Sequence, residues 1–239
     1  MAQKDGKACM IDCGSESDEA ALKTVEFLRK NGISSLEFIA VTHYHDDHIN
    51  GIIDVMQTIK TDAIILPPIP KSGENADALK AAATECGVKI IVPESDILIT
   101  ALDGVSVYVL SDYFYQTPQD ETQSMTILID YNNSEFLTTG DLSSQQEKLL
   151  DEYGDRLDCD VFMAGHHGSA YSNSEDFLSQ ITPEAVIASA GKGNSYGHPA
   201  VQAIARFDWI GAKLYRTDRD GDITVRTSGN SVFETIHTK

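Results

Sequence analysis

Residues 42–48 read Thr-His-Tyr-His-Asp-Asp-His and directly follow the apolar run LEFIAV at 36–41. The apolar run predicts a buried strand, and the polar cluster begins where that strand ends. Side chains two apart on extended backbone point the same way, so His43 and His45 can converge on one ion. A strand that ends in metal-binding side chains is therefore predicted here.

The chain after this strand is predicted to form a helix over 46–59, with aspartates in its first turn. That turn can direct Asp47 and His48 to a second point close to the first. Neutral imidazoles and carboxylates suit zinc, manganese or iron. A solvated polar loop would also tolerate such residues singly, but three histidines and an aspartate within six positions favour a metal site.

Six of the seven histidines fall in short clusters, and each cluster follows a predicted strand. Ligands gathered from several strand ends at one sheet edge would make a metal site. The further clusters are Thr139-Gly140-Asp141 after EFLTT, Gly165-His166-His167-Gly168-Ser169 after DVFMA, and Asn194-Ser195-Tyr196-Gly197-His198-Pro199 after AVIAS.

These later clusters are less specific one by one. Asp141 could be an ordinary turn residue, although a two-metal site needs a bridging carboxylate. His166 and His167 offer a ligand and a proton donor, and adjacent side chains on a plain strand would place only one of them at the centre. His198 stands alone before a proline and is weak evidence by itself.

Composition narrows the function classes. With 18 basic and 37 acidic residues, the net charge is −19, and no basic patch typical of nucleic-acid binders is present. No apolar run reaches the roughly 18 residues of a membrane span. The spacing of the four cysteines fits neither a zinc ribbon nor a disulfide framework, so partly buried free thiols are expected. Free thiols suit a reducing compartment, and the cytoplasm is the expected location. An extracytoplasmic location is the alternative if the chain is an excised or truncated domain.

Mixed strands and helices with a β-rich middle predict an α/β layered fold. No repeat or linker interrupts residues 1–239, so a single domain is expected. Within it, Ser144 and Glu147 have the spacing of a capping box for a helix through Tyr153.

Taken together, IDCG, THYHDDH, FLTTGD, GHHGS and NSYGHP, with RTDRDGDI near the end, resemble the metallo-β-lactamase superfamily. More narrowly, the chain is similar to the hydrolase domain of ComEC-type DNA-uptake competence proteins. The match runs in order over nearly the whole chain. It implies a four-layer αββα sandwich with a dinuclear site, holding zinc or manganese in preference to iron, at one edge of the sheets. The family's first strand, with a DVGQGD-like segment, is expected to be absent here.

The resemblance also implies roles for single residues. Asp47 would orient a metal-bound hydroxide nucleophile, and His166 would give a proton to the leaving group or contact the phosphate. Substrate contacts are expected from His167, Ser169 and Asn194. The implied metal site has His43 and His45 on one metal, Asp47 and His48 on the other, Asp141 bridging, His198 at the last ligand position and Asp12 bracing the site.

The chain also departs from the family. Many superfamily hydrolases have another histidine between the first cluster and the bridging aspartate, but here none lies between His48 and His166. One metal is therefore expected to be either weakly held or completed by His166. The expected activity is hydrolysis of a phosphodiester, either a small molecule or a nucleic-acid strand. The alternatives are a thioesterase or lactonase and a non-catalytic metal-binding module. A di-iron redox role is disfavoured because that branch has a glutamate where His45 stands.

Overall fold

Parallel strands joined by helices form most of the computed structural model, which describes residues 1–15, 19–69, 73–116, 123–230 and the backbone of 233–238. The chain divides into two compact units. The first unit comprises Met1–Gly104 with Leu110–Met125, and the second comprises Val105–Val109 with Thr126–Lys239. The single domain expected over 1–239 stays a prediction.

The first unit is built on a sheet with the strand order β1-β2-β4-β6-β7, in which β1 is antiparallel to β2 and the other neighbours are parallel. Strands β3 and β5 pair separately. Strand β1 was not predicted; it precedes the IDCG segment and carries AQK rather than a DVGQGD-like segment. The strands are β1 (Ala2–Lys4), β2 (Lys7–Ile11), β3 (Ser35–Leu36), β4 (Phe38–Ala40), β5 (Lys60–Thr61), β6 (Ala63–Ile65), β7 (Lys89–Ile91) and β8 (Ile97–Leu102).

Four helices pack their apolar faces into the core of the first unit. In α1 the buried residues Ala21, Val25 and Leu28 recur at helical spacing. Strand β4 is buried along its whole length, as expected of a parallel strand in the middle of a sheet. The helices are α1 (Ala20–Lys30), α2 (Asp46–Ile49), α3 (Ile52–Thr58) and α4 (Glu74–Glu85), and a 3₁₀ turn covers Asp112–Tyr115.

The single helix predicted over 46–59 is wrong, because α2 and α3 are separated at Asn50 and Gly51. The segment that follows β2 packs against this break. Asn50 exchanges hydrogen bonds with the backbone of Ser15, and the Gly51 N–H donates to the Cys13 carbonyl at 2.9 Å. A Cβ at Gly51 would lie 2.9 Å from the nitrogen of Ala21, so the close approach requires glycine.

In the second unit the strands lie in the order β14-β13-β12-β11-β10-β9. β10 and β11 form an antiparallel hairpin, and β11 to β14 run parallel. Because β11, β12 and β13 are parallel neighbours, the segments after them leave the same edge of the sheet. The strands are β9 (Val105–Leu110), β10 (Thr126–Asp130), β11 (Glu135–Thr138), β12 (Val161–Met163), β13 (Ala185–Ala188) and β14 (Lys213–Arg216), followed by the hairpin β15 (Asp222–Thr227) and β16 (Phe233–Thr238).

The helical segments of this unit begin differently from the prediction. The capping exchange is between Ser143 and Gln146 rather than between Ser144 and Glu147. The 3₁₀ segment that follows, Glu147–Leu157, is interrupted by a kink at Gly154, directly after Tyr153. The carboxylate of Glu147 is instead bonded to a distant loop, described below. The α-helices are α5 (Glu175–Ile181), α6 (Val201–Trp209) and α7 (Thr217–Asp220), and a non-helical turn covers Gly165–Gly168.

The four cysteines are free thiols, as predicted, and Cys86 is exposed whereas the other three are buried. Within the part of the chain that the structure describes, no helix has the length and apolar character that crossing a membrane requires. The cytoplasmic location stays a prediction.

Candidate metal centre

The first donor cluster lies in the first unit, on the chain that leaves β4. The ring of His43 lies 4.5 Å from that of His45 and 4.1 Å from that of His48, measured between centroids. His43 and His48 are buried and His45 is exposed. The predicted convergence of these imidazoles is therefore present, and Asp47 lies in the first turn of α2 between them.

Asp12, at the end of β2, orients this cluster. Its carboxylate accepts hydrogen bonds from the backbone N–H of Thr42 at 2.7 Å, from the Thr42 hydroxyl at 2.7 Å and from Nδ1 of His48 at 2.8 Å. A carboxylate only accepts, so Nδ1 of His48 carries the hydrogen, and in the neutral form of the ring the lone pair is on Nε2. Asp12 itself has a left-handed backbone, with φ 52°.

Two side chains that were not singled out from the sequence hold the same loop. The amide of Asn75 donates to the Tyr44 carbonyl at 2.8 Å and to Oδ1 of Asp46 at 2.9 Å. The Tyr44 hydroxyl donates to the Pro67 carbonyl at 3.0 Å, and burial raises the pKa of Tyr44. These contacts join positions 23 to 31 residues apart, so no local sequence pattern indicates them.

Gly14 allows the segment after β2 to lie directly against α2. A Cβ at this position would stand 2.4 Å from the carbonyl oxygen of Asp47 and 2.5 Å from the nitrogen of His48. No side chain can be placed there without moving the backbone that carries these two donors. The glycine of the IDCG segment is thus needed for close packing rather than for an unusual dihedral angle.

The second donor cluster lies in the second unit, around Asp141 after β11. Asp141 is buried, and its oxygens lie 3.5 Å from Nε2 of His166 and 3.8 Å from Nε2 of His167. Only one of the two histidines was expected at the centre. Both are there because His166 and His167 have left-handed backbones, with φ of 50° and 56°, and do not alternate as on a strand.

His167 is held in one tautomer by its surroundings. Its Nδ1 lies 3.0 Å from the carbonyl oxygen of Ser189, which follows β13. Since a carbonyl only accepts, Nδ1 carries the hydrogen, and Nε2 faces Asp141. His167 therefore has the orientation of a metal ligand, whereas its expected role as a substrate contact stays a prediction.

His198 completes the second cluster. Its ring centroid lies 5.7 Å from that of His166, and its buried Nδ1 has no hydrogen-bond partner among the described residues. Burial, followed by the neighbouring histidine charges, lowers the pKa of His198, which favours the neutral ring. The exposed ring of Tyr196 stacks on it at 5.8 Å.

Two of the expected substrate contacts are engaged within the protein. The amide of Asn194 donates to the carbonyls of Gly191 and His198 and accepts from the His198 N–H at 2.9 Å, so it orients His198. Ser169 is buried and its hydroxyl accepts from the backbone of Tyr171. Substrate contacts by Asn194 and Ser169 stay predictions.

The donor sets of the two units fit divalent metals. Each unit supplies neutral imidazole nitrogens beside a carboxylate, and two of the rings are oriented through Nδ1 so that Nε2 can bind. The buried Nδ1 of His198 adds a nitrogen that accepts no hydrogen bond from the described residues. Such sets suit zinc, manganese or iron.

Comparison with known families agrees with this chemistry. The model of the metallo-beta-lactamase superfamily matches residues 1–192, so the chain belongs to this superfamily and has its α/β fold. The superfamily is hydrolytic and binds divalent metals.

Among individual proteins, the chain is similar to two ComEC-type competence proteins, which confirms the narrower resemblance. It is 29% identical over 203 residues to ComE operon protein 3 of Bacillus subtilis, a match that covers 84% of this chain and 26% of that protein. It is 27% identical over 225 residues to Recombination protein 2 of Haemophilus influenzae, covering 93% of this chain and 26% of that protein. The chain thus spans about a quarter of the length of these curated relatives.

Solved structures support the fold. The metallo-beta-lactamase fold protein YhfI from Bacillus subtilis matches with a TM-score of 0.55 at 14% identity, over 90% of this chain and 86% of that one. A likeness at this identity concerns the fold alone.

Proposed function

We propose that this chain is a metal-dependent phosphodiesterase. The observation that carries the proposal is the His43, His45 and His48 cluster, in which a carboxylate turns one buried ring so that its Nε2 can bind a metal. A cluster of imidazoles held in this way has the character of a metal-ligand set rather than of a solvated loop. Zinc and manganese are the metals we expect.

Donors from both units take part in the proposal. When bound, divalent metals supply Lewis acidity, which acidifies water and offsets charge on a phosphoryl oxygen. We assign metal binding to the residues expected from the sequence and add His167, whose Nδ1 is already bonded to a carbonyl. In the first unit these residues are His43, His45, Asp47 and His48, and in the second unit they are Asp141, His167 and His198.

The remaining groups handle protons and substrate. Asp47 orients the attacking water from the first turn of α2. His166, which is more exposed than His167 and lies 3.5 Å from Asp141, delivers a proton to the leaving group through Nε2. His167, Ser169 and Asn194 are the expected substrate contacts; we assign His167 to metal binding instead, and Ser169 and Asn194, whose hydrogen bonds lie within the protein, shape the site.

Two observations define the substrate class that we propose: the net charge of this chain and the proteins to which it is similar. The name of one relative refers to recombination, and both relatives are ComEC-type competence proteins, which directs attention to nucleic-acid phosphodiesters. A net charge of −19 opposes tight binding of a long polyanion by this chain alone. We therefore define the substrate by the shared chemistry, the phosphodiester group, and separate the sources by experiment.

The first experiment joins metal content to turnover. Purified protein is analysed for bound metal and assayed on bis-p-nitrophenyl phosphate with added manganese or zinc. We expect about two metals per chain and metal-dependent turnover, both reduced in His45→Ala and Asp141→Ala. Asp151→Ala, the same change at an exposed aspartate of the second unit, is the matched control. Full activity in Asp141→Ala would contradict the site.

The second experiment separates substrates. The protein is offered single-stranded DNA over a range of salt, a small dialkyl phosphodiester, a thioester and a lactone. Cleavage of DNA that falls with salt indicates a nucleic-acid strand, and turnover of small phosphodiesters alone indicates a small substrate. Turnover of the acyl substrates alone would replace the proposal by a thioesterase or lactonase. Metal binding without any turnover would replace it by a non-catalytic module.

A further inference from the structure

The turn that carries His166 and His167 has an unusual backbone. His166, His167 and Gly168 follow one another with positive φ angles of 50°, 56° and 81°. A left-handed backbone costs an ordinary L-residue about 1–2 kcal/mol, so two adjacent histidines do not adopt it without help. Surrounding structure must hold this conformation.

The side chain of Asn173 bridges the two ends of the turn. Its Oδ1 accepts from the Gly165 N–H at 2.8 Å, and its Nδ2 donates to the Gly165 carbonyl at 3.0 Å and to the Ser169 carbonyl at 3.5 Å. The N–H and the carbonyl of Gly165, the residue before the two histidines, are thus both hydrogen-bonded to the side-chain amide of Asn173. Asn173 is fully buried, and its own φ of 62° is a conformation that asparagine tolerates.

The segment around Asn173 is held in turn by two charged side chains. The carboxylate of Glu147 accepts from the backbone N–H groups of Asn173 and of Ser174, the latter at 2.9 Å. The guanidinium of Arg206 donates to the carbonyls of this segment, including that of Asn173 at 2.9 Å and that of Ala170 at 2.7 Å. The carboxylate of Glu147 thus accepts from the N–H groups of this segment, and the guanidinium of Arg206 donates to its carbonyls.

The burial of Glu147 shows that this arrangement is specific. Its side chain is 1% exposed, and burial raises its pKa, while its hydrogen bonds and Arg206 act in the opposite direction. Burying charges seldom increases overall stability, and where they are retained they can select one conformation. Here the selected conformation is that of 170–174, which presents the amide of Asn173 to Gly165.

We propose that Asn173, held by Glu147 and Arg206, is a positioning residue that directs His166 and His167 toward Asp141. The inference rests on the proposed function only in taking these two rings to be functional. Asn173 does not touch the reacting atoms in this scheme; it acts through the backbone of Gly165 and Ser169.

The test uses a substitution that removes the amide and keeps the backbone. Glycine accepts a φ of 62° readily, so Asn173→Gly deletes the three side-chain hydrogen bonds without adding backbone strain. Asn132→Gly is the matched control, because Asn132 also has a left-handed backbone, with φ 59°, and lies exposed in the turn between β10 and β11. Both variants carry the same change in the flexibility of the unfolded chain.

Two readouts separate positioning from general stability. In metal-free protein, two-dimensional NMR of the imidazole nitrogens should show His167 as the Nδ1–H tautomer in the parent chain and Asn132→Gly, and a tautomer mixture in Asn173→Gly. In metal-loaded protein, kcat of Asn173→Gly should fall by about 10- to 100-fold, the size typical of lost ligand-orienting contacts, with KM changed less than kcat.

The outcomes remain distinct from those of the proposed function. If no chain turns over any phosphodiester, the function fails, yet the NMR comparison still tests the positioning. An unchanged His167 tautomer together with an unchanged kcat in Asn173→Gly would overturn the inference. If this variant does not fold, Asn173→Asp is used, because it keeps the acceptor for the Gly165 N–H and loses the two donated bonds. It must then show a smaller change in the His167 tautomer and a smaller fall in kcat. Unchanged values of both would overturn the inference equally.

Discussion

Oδ2 of Asp12 lies 2.8 Å from Nδ1 of His48 and so decides which nitrogen of that ring carries the hydrogen. The two residues are 36 positions apart and meet because β2 and β4 are parallel neighbours. The same carboxylate binds both the N–H and the hydroxyl of Thr42, next to His43. One side chain thereby connects the strand end to two of the candidate ligands.

Replacing Asp12 by asparagine should therefore weaken metal binding while the fold persists. Asparagine tolerates the left-handed backbone at this position and can still accept from Thr42, but its NH₂ would face Nδ1 of His48 and favour the opposite tautomer. We expect a loss of about 10- to 100-fold in zinc affinity, measured by competition with a coloured chelator. Zinc affinity equal to that of the parent chain would show that the hydrogen bond does not orient the ligand.

The hydrogen bonds of Asn75 predict a second effect, on the loop that carries Tyr44 and Asp46. Asn75→Ala removes the bonds to the Tyr44 carbonyl and to Asp46, which should lower both metal affinity and the free energy of unfolding, the latter by about 1 kcal/mol. Calorimetry with and without zinc measures the two together. Asn31→Ala, at an exposed helix end, provides the comparison, and equal zinc-induced stabilisation in both variants would refute a role in the loop.

The close approach at Gly14 predicts a steric effect. In Gly14→Ala the added methyl group would meet the backbone of Asp47 and His48 at about 2.4–2.5 Å, so the helix start must shift. We expect a loss of about 1–3 kcal/mol in unfolding free energy, as for other overpacked sites, together with weaker metal binding. Gly191→Ala is the control, because a Cβ there meets nothing within 4 Å. Urea unfolding of the two variants should differ clearly; similar midpoints would count against the packing argument.

A pH effect is predicted at Glu135, away from the metal ligands. Burial raises the pKa of Glu135 from 4.5 to about 7, and the neighbouring carboxyl of Asp160 adds to this. The folded chain thus retains a proton that the unfolded chain releases, so the stabilisation is complete below pH 4.5 and is lost as the pH rises through 7.

Glu135→Gln should remove that part of the pH dependence and be more stable than the parent chain above pH 7. Because Glu135 is only partly buried, we expect the difference to stay below about 1 kcal/mol. Unfolding by urea at pH 5 and pH 8 measures it, with Glu184→Gln as the exposed comparison. If the two variants follow the same pH curve, Glu135 is not the titrating group.

Sequence reasoning succeeds where the signal is local. His43, His45 and His48 stand within six positions after a buried strand, and the structure brings their rings together. It was less successful with His166 and His167, because alternation on a strand predicts opposite faces and the left-handed turn between two glycines was not recognised. The flanking glycines were the available signal.

Long-range contacts could not be read from the sequence. Asn75 and Asn173 look like ordinary polar residues of a helix start and a loop, and their partners become apparent only when the strands are placed side by side. Glu147 was assigned to a capping box from a spacing of three residues, whereas its carboxylate bonds the backbone 26 and 27 residues away. Local patterns compete with tertiary contacts for the same side chain, and here the tertiary contacts prevail.

The Asp12 contacts also bear on the order of events during assembly. They close loops of 30 and 36 residues, so the oriented imidazole exists only after β2 and β4 have paired across that length of chain. In a small zinc finger the ion itself organises the chain, but here a buried sheet provides the framework first. Removal of the metal by a chelator should accordingly abolish activity well before the protein unfolds. A metal ion added after folding should bind to a first unit that is already folded.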